Sequence, residues 1–285
     1  MPNPPWSILV LTVAALGCRG TSKDDQDASA PTCNGHTSLC DRPLHDVTLA
    51  GTHNSMSSAD AGWLAANQQH GITRQLNDGI RSLMLDTMDW EGEPYLCHGY
   101  CELGAQPLHE GLAEVEDFLE AHPKEVVLII FQDGLSTEVM VSALEASGLA
   151  DRAWVHTGEI PTLGELIDAQ TNVVITAEHG GPPPSWYHHA WDLLQDTPYS
   201  FSSAAEMSCE RLRGANDSPL FLVNHWLGTP LPTETGAMEV NATATLYERA
   251  TRCEDERDQR INILAVVFYN HGDLFSVVDT LNGIH

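Results

Sequence analysis

The chain has 285 residues, 42% of them apolar, and 13 Lys+Arg against 40 Asp+Glu give a formal charge of −27. That apolar share excludes a disordered chain, 22 glycines and 16 prolines are too few for a collagen-like or low-complexity one, and downstream of the N-terminus no apolar run reaches the ~18 residues that span a bilayer. So acidic a chain lacks the basic face that neutralises phosphates, which argues against nucleic acid as a partner and gives no attraction to anionic lipid.

Trp6 to Gly17 (WSILVLTVAALG) is an apolar run of signal-peptide length. It ends at Ala15-Leu16-Gly17-Cys18, which resembles a bacterial lipobox in which Cys18 is diacylated and becomes the first mature residue. Arg19 to Thr32 is polar, small and without periodicity, as a tether would be. We therefore expect residues 1–17 to be a signal peptide, 18–32 a flexible tether from a lipidated Cys18, and 33–285 a single folded domain. The protein is expected to be exported and anchored to a bacterial membrane, facing the periplasm or exterior, with plain secretion as the alternative. Removing Cys18 from the seven cysteines leaves six, an even number that suits disulfides in an exported chain. Spacing favours Cys33–Cys40 and Cys97–Cys101 and leaves Cys209 with Cys253, although six cysteines allow other pairings. A metal site is the rival, but no C-x-x-C pair occurs.

In the folded part, strands are expected at 47–50, 82–85, 126–131, 173–176, 220–223 and 263–268. Their nearly continuous apolar character suits strands covered on both faces. Helical spacing covers 112–122 and 137–147, and 273–281 suggests a closing helix. This alternation predicts an α/β fold, a single distorted TIM (β/α) barrel, with a doubly wound sheet as the competitor. Polar residues gather where the strands end: Thr52-His53-Asn54, Asp86, Gln132-Asp133, Glu178-His179, Asn224-His225 and Asn270-His271. In barrels the C-terminal strand ends build the active site, so this succession points to an enzyme.

His53 follows the first strand, with Gly51 permitting a tight turn, and His98 lies beside the expected Cys97–Cys101 loop. Two rigidly held imidazoles can divide labour, one removing a proton from a nucleophile and the other protonating a leaving group, which suits phosphodiester cleavage by an internal hydroxyl. Asp86 and Asp89 lie between them and offer carboxylates to orient a histidine or hold a hard cation, or are simply exposed. His225-Trp226 at a strand end is a further site candidate. His188-His189, beside Pro182 to Tyr187, reads first as packing of an irregular loop and second as a rim for lipid. Asn241-Ala242-Thr243 matches a glycosylation acceptor, which a bacterial lipoprotein would not normally use.

Gly51-Thr52-His53-Asn54-Ser55, Asn67-Gln68, Gln75-Leu76 through Gly79 to Asp86, and Leu96-Cys97-His98-Gly99 together resemble the phosphatidylinositol-specific phospholipase C X-domain superfamily, in its secreted or anchored phosphodiesterase branch. The likeness continues through His122 to Val127, Leu222 to Trp226 and Val278 to Gly283. The resemblance implies a distorted TIM barrel that cleaves a phosphatidylinositol-like lipid at a membrane surface to diacylglycerol and a cyclic inositol phosphate. It implies that His53 is the general base, His98 the general acid, and Asn54 and Asp86 the positions that bind calcium in metal-dependent members. Three positions depart from the family's pattern. Met84 and Gln132 stand where calcium-dependent members supply Glu ligands, with Asp133 beside Gln132 as the substitute, and Val267 stands where relatives place Asp or Asn near the base. The expected site is thus His53, His98 and Asp86 for catalysis, Asn54, His225 and Asp133 for substrate, and Asn54, Asp86 and Asp133 for calcium, in a monomer. The alternatives are a catalytically idle surface lipoprotein that binds a headgroup or partner, and a glycerophosphodiester or sphingomyelin phosphodiesterase. The latter group opens with a His-Arg-Gly turn, and here the turn is His53-Asn54-Ser55.

Overall fold

Apolar runs without alternation suit strands that are covered on both faces, and the computed structural model, which describes residues 1–2, 32–229 and 231–284, has such strands. The strands are β1 (Leu49–Thr52), β2 (Ser82–Trp90), β3 (Glu93–Leu96), β4 (Gln106–Pro107), β5 (Val127–Asp133), β6 (Val173–Ala177), β7 (Tyr187–His189), β8 (Leu194–Asp196), β9 (Leu220–His225) and β10 (Ile263–Val266). The helices are α1 (Ile72–Asp78), α2 (Leu108–Ala121), α3 (Thr137–Ser147), α4 (Leu163–Asp168), α5 (Ala190–Leu193), α6 (Glu234–Val240), α7 (Thr243–Arg257) and α8 (Leu274–Leu281). The expected signal peptide, the lipidated Cys18 and the tether fall on residues 3–31 and lie outside the described residues.

Eight strands pair in the order β7-β6-β5-β2-β1-β10-β9-β8, every neighbour parallel. The sheet curls into the α/β barrel architecture with one irregularity: among the described residues no ladder joins β7 to β8, so the ring is open at that seam. The antiparallel β2-β3-β4 extension sits off this path. Successive strand residues enter two different apolar clusters, as a pleat of period two demands. Leu83, Leu85, Ile129, Phe131, Val223 and Leu264 pack with α2 residues such as Leu112 and Val115. Met84, Leu128, Ile130, Leu222 and Ala265 form the other cluster, which includes Trp226 and Val267.

Local signals explain the helices that the sequence showed. On α2, Leu108, Leu112, Val115 and Leu119 are buried at helical spacing. Gly111 lets α2 close on β3, since a Cβ there would stand 2.3 Å from Leu96 Cδ1. The bounds of α3 match the expected 137–147 because the Ser136 hydroxyl caps Val139 N and Gly148 ends the helix at φ 88°. The disulfides are Cys33–Cys40, Cys97–Cys101 and Cys209–Cys253, the pairing that spacing favoured. Gly51 does not make a turn. It lies inside β1, where a Cβ would meet Ile263 Cγ2 at 2.8 Å, so its role is close packing against β10.

Candidate active site

His53 follows the last residue of β1, and its backbone is held from several directions. Gln68 Nε2 donates to His53 O and Val266 O, joining the ends of β1 and β10. Gln75 Nε2 donates to Ser55 O and His70 O, while Thr52 Oγ1 donates to Gln75 Oε1. Between them Asn54 turns the chain at φ 47°, a conformation that asparagine tolerates better than most residues. The ring is fixed as well: its Nδ1 lies 3.1 Å from Asn67 Oδ1, and Trp226 stacks on it at 4.0 Å and 13°. An amide oxygen only accepts, so Nδ1 carries the proton and Nε2 presents a lone pair. Burial, reinforced by the neighbouring positive charge of His98, pushes the His53 pKa down to about 3. His53 is therefore a neutral imidazole across the physiological range.

His98 follows β3 in the loop closed by Cys97–Cys101. Cys97 N donates to Asp86 O at 3.1 Å, and His98 Nδ1 donates to Asp86 Oδ2 at 2.6 Å. That hydrogen bond, with the carboxylate's charge, outweighs desolvation and raises the pKa of His98. Burial pushes Asp86 up in turn. The pair thus retains its proton above the ordinary histidine range, with Nε2–H free to donate. The two rings lie 6.3 Å apart, edge to face, on one cavity of about 310 Å³. One is poised to take a proton and the other to give one.

The rest of the cavity is built around Arg213. Its Nε and Nη2 donate to Asp196 Oδ2 at 3.1 and 2.6 Å, and its Nη1 donates to Glu178 Oε1 at 2.9 Å. The guanidinium lies 3.9 Å from the Trp191 ring centroid. Desolvation opposes its charge, but Asp196 and Glu178 raise its pKa above the usual value. Burial holds Glu178 above the ordinary carboxylate range in spite of Arg213. Asn224 also lines the cavity; its Nδ2 donates to Asp196 Oδ2 and Thr197 O, and its buried Oδ1 has no partner. Tyr199 and Leu231, both exposed, complete the mouth.

The structure brings His53, His98 and Asp86 together and places the other expected residues elsewhere. Asn54 is buried behind His53, its Nδ2 donating to the same Asn67 oxygen. Asp133 accepts from His179 N and Gly180 N at 2.8 and 2.7 Å and borders a neighbouring groove. His225 is fully buried outside the cavity lining, its Nε2 donating to Val240 O and its Nδ1 facing Arg249 Nη1. Alternate residues of a strand point to opposite faces, so Asn224 and Trp226 reach the cavity and the histidine between them cannot. The His188-His189 segment packs inward: Tyr187 is fully buried and His188 Nε2 donates to Trp154 O. Asn241 of the glycosylation match is likewise buried, with Nδ2 on Val267 O. The residue that orients the base comes from an unexpected element. Val267 belongs to the core, and Asn67 supplies the partner of His53 instead.

A hard cation such as calcium takes six to eight oxygens. Asp86, Glu178 and Gln132 bring oxygens to the cavity, but His98 takes Asp86 Oδ2 and Arg213 takes Glu178 Oε1, Met84 adds only a thioether, Asp133 is engaged by two N–H groups, and the unpartnered Asn54 Oδ1 lies behind His53. Among the described residues no group of three or more His, Cys, Asp or Glu side chains is arranged to hold a metal. The donor set does not fit a calcium cage.

The family model described as PI-PLC X 1 matches residues 39–282. An uncharacterized secreted protein of Arthroderma benhamiae is 28% identical over 93% of this chain and 67% of its own length. A PI-PLC X domain-containing protein of Arabidopsis thaliana is 29% identical over 85% and 63%. The chain thus spans about two thirds of the length of these two relatives. Among solved structures, the phosphatidylinositol-specific phospholipase C of Listeria monocytogenes superposes with a TM-score of 0.58 at 16% identity, over 86% of this chain and 94% of that one. A Staphylococcus aureus phosphatidylinositol-specific phospholipase C, in its F249X form, gives 0.58 at 14% identity over 90% and 98%. At such identities the superpositions establish the fold. With the family match covering most of the folded domain, the chain belongs to the phosphatidylinositol-specific phospholipase C X-domain family.

Proposed function

We propose that the protein is an exported phosphodiesterase of the phospholipase C type, acting on a phosphatidylinositol-like lipid. The observation that carries this is the pair of imidazoles facing each other across one cavity in opposite proton states, His53 neutral and His98 raised toward its charged form. His53 Nε2 takes the proton of the inositol hydroxyl beside the phosphate, and that oxygen forms a new bond to phosphorus. The phosphorus–oxygen bond on the glycerol side breaks, its electron pair stays on the departing oxygen, and His98 Nε2–H supplies that oxygen's proton. The products are diacylglycerol and a cyclic inositol phosphate, and the two histidines exchange proton states. Asp86 orients His98 and favours its protonated form, while Asn67 fixes the tautomer of His53.

Arg213 is the fixed cation of this site. Three of its five N–H groups are engaged by Asp196 and Glu178, which leaves two for the phosphate or a ring hydroxyl. No step requires a metal. The disulfides and the secreted relative support export. A lipid on Cys18 would keep so acidic a protein beside a membrane that does not attract it electrostatically.

Phosphorus NMR of phosphatidylinositol vesicles incubated with the protein, with and without calcium, tests the assignment. A cyclic phosphate signal is expected, and it is expected to vanish in His53→Ala and in His98→Ala. Absence of the signal under both conditions, or its persistence in both variants, would refute the mechanism. The misfit of the donor set to calcium favours a second reading, a surface protein that holds a headgroup without turning it over. Inositol 1-phosphate binding by calorimetry with no cleavage of the lipid would establish that one.

A further inference from the structure

The wall that carries His98 has a second side. Asp86, His98 and Gln132 border both the catalytic cavity and a separate groove of about 280 Å³, whose other walls are formed by the β2 end, the Cys97–Cys101 loop and the segment after β5. We propose that this groove seats the leaving alcohol, the uncharged glycerol end of a diacylglycerol. The inference rests on the catalytic reading above and extends it to a part of the substrate on which that reading is silent.

Three observations support it. The first is directional. In an in-line displacement the attacking and departing oxygens lie on opposite sides of phosphorus, so the group that leaves must extend past the residue that protonates it. His53 marks the attacking side and His98 the departing one, and the groove lies against His98. The second is chemical. No Lys or Arg lines the groove, and its walls include Met88, Cys97, Gly99 and Gly134. The Asp133 carboxylate already accepts two backbone N–H bonds. Thr87 also lines the groove, and its buried hydroxyl has no partner in the protein. Apart from His98, whose proton goes to the departing oxygen, such a lining suits a neutral amphiphile. The third is continuity: Tyr100 and Leu103, 74% and 41% exposed, stand in and just past the same disulfide loop, where acyl chains too long for the groove would run.

The test compares two phosphodiesters that share the inositol 1-phosphate headgroup and differ in the alcohol, dihexanoylglycerol in one and methanol in the other. The readout is the ratio of their kcat/KM values in the wild-type protein and in Met88→Trp, which fills the groove. The ratio is expected to fall about ten-fold in the variant, the scale on which a pocket loses one well-fitted apolar group. His179→Trp, whose native side chain is 70% exposed at the groove, repeats the test at a surface position should Met88→Trp fail to fold. A ratio unchanged within about two-fold in a folded variant overturns the groove assignment and leaves the catalytic reading standing. If the wild-type protein cleaves neither ester, the catalytic reading itself falls, and this assignment with it.

Discussion

His225 should make the protein acid-labile, to an extent that follows from its surroundings. The ring is fully buried, donates from Nε2 to Val240 O, and faces the Arg249 guanidinium through Nδ1 at 3.3 Å. A proton on Nδ1 would bring two cations together in the buried interior. Burial first, and Arg249 second, push the pKa from 6.5 down to about 3. The folded protein therefore takes up no proton here until about pH 3, whereas the unfolded chain takes one up near 6.5. Stability from this residue is complete above pH 6.5 and is lost as the pH falls from there toward 3. Each pH unit is worth about 1.4 kcal/mol, so about 2.7 kcal/mol is lost by about pH 4.5, a large share of a typical domain's 5–15 kcal/mol. Urea unfolding of the wild type and of His225→Gln at about pH 7.5 and about pH 4.5 measures the difference, since the other titrating groups are common to both proteins. The wild type is expected to lose about 2–3 kcal/mol more than the variant over this interval, whatever the variant's starting stability. Equal losses within about 0.5 kcal/mol would show that the buried neutral imidazole does not govern acid unfolding.

Three further outcomes concern the site. In Asp86→Asn the hydrogen bond and charge that raise the His98 pKa are gone, so the alkaline limb of the kcat/KM profile moves down toward the ordinary histidine value and kcat falls by about 10²–10⁴; an unmoved limb would refute His98 as the acid. Asn67→Asp puts a carboxylate on His53 Nδ1 and raises a pKa now near 3, so activity is lost at a higher pH on the acid side, as a pH–rate profile would show. Arg213→Lys cannot span Asp196 and Glu178 together, and both thermal stability and kcat/KM are expected to fall, the latter by about ten-fold or more; equal activity would remove the cation from the substrate's path.

The parts of the fold that could be read from the sequence are those where one local signal dominates. β5, β6 and β9 are runs of buried apolar residues, and α3 is bracketed by Ser136 and Gly148. β7 and β8 have three residues each and no pattern of their own; they exist because longer neighbours offer them ladders. α7 was hidden for another reason. Its buried stripe of Leu246, Arg249, Ala250 and Cys253 contains an arginine, which breaks the apolar period. In the site, the motif residues His53, Asp86 and His98 were legible because each sits in a recognisable stretch. Arg213 lies outside any regular element, one of 13 cations with nothing nearby to single it out. Asn67 was visible as part of a motif but not in its role, which depends on a loop folding back over 14 residues to reach His53. His225 stood at a strand end as a site candidate, and the strand's alternation turns it away from the cavity, toward Val240 and Arg249.

The seam between β7 and β8 gives Arg213 a second importance. Asp196 ends β8 and Glu178 follows β6, the strand next to β7, so one guanidinium spans from one edge of the open ladder to the loop one strand in from the other. A backbone ladder would have been indifferent to what occupies the interior, but this clasp faces it. An anion or polyol that takes up the clasp's spare N–H groups strengthens the join, and by reciprocity anything that loosens the join weakens the ligand's hold. Were the cylinder to open at this seam, its closure and the occupancy of its mouth would be two readings of one equilibrium.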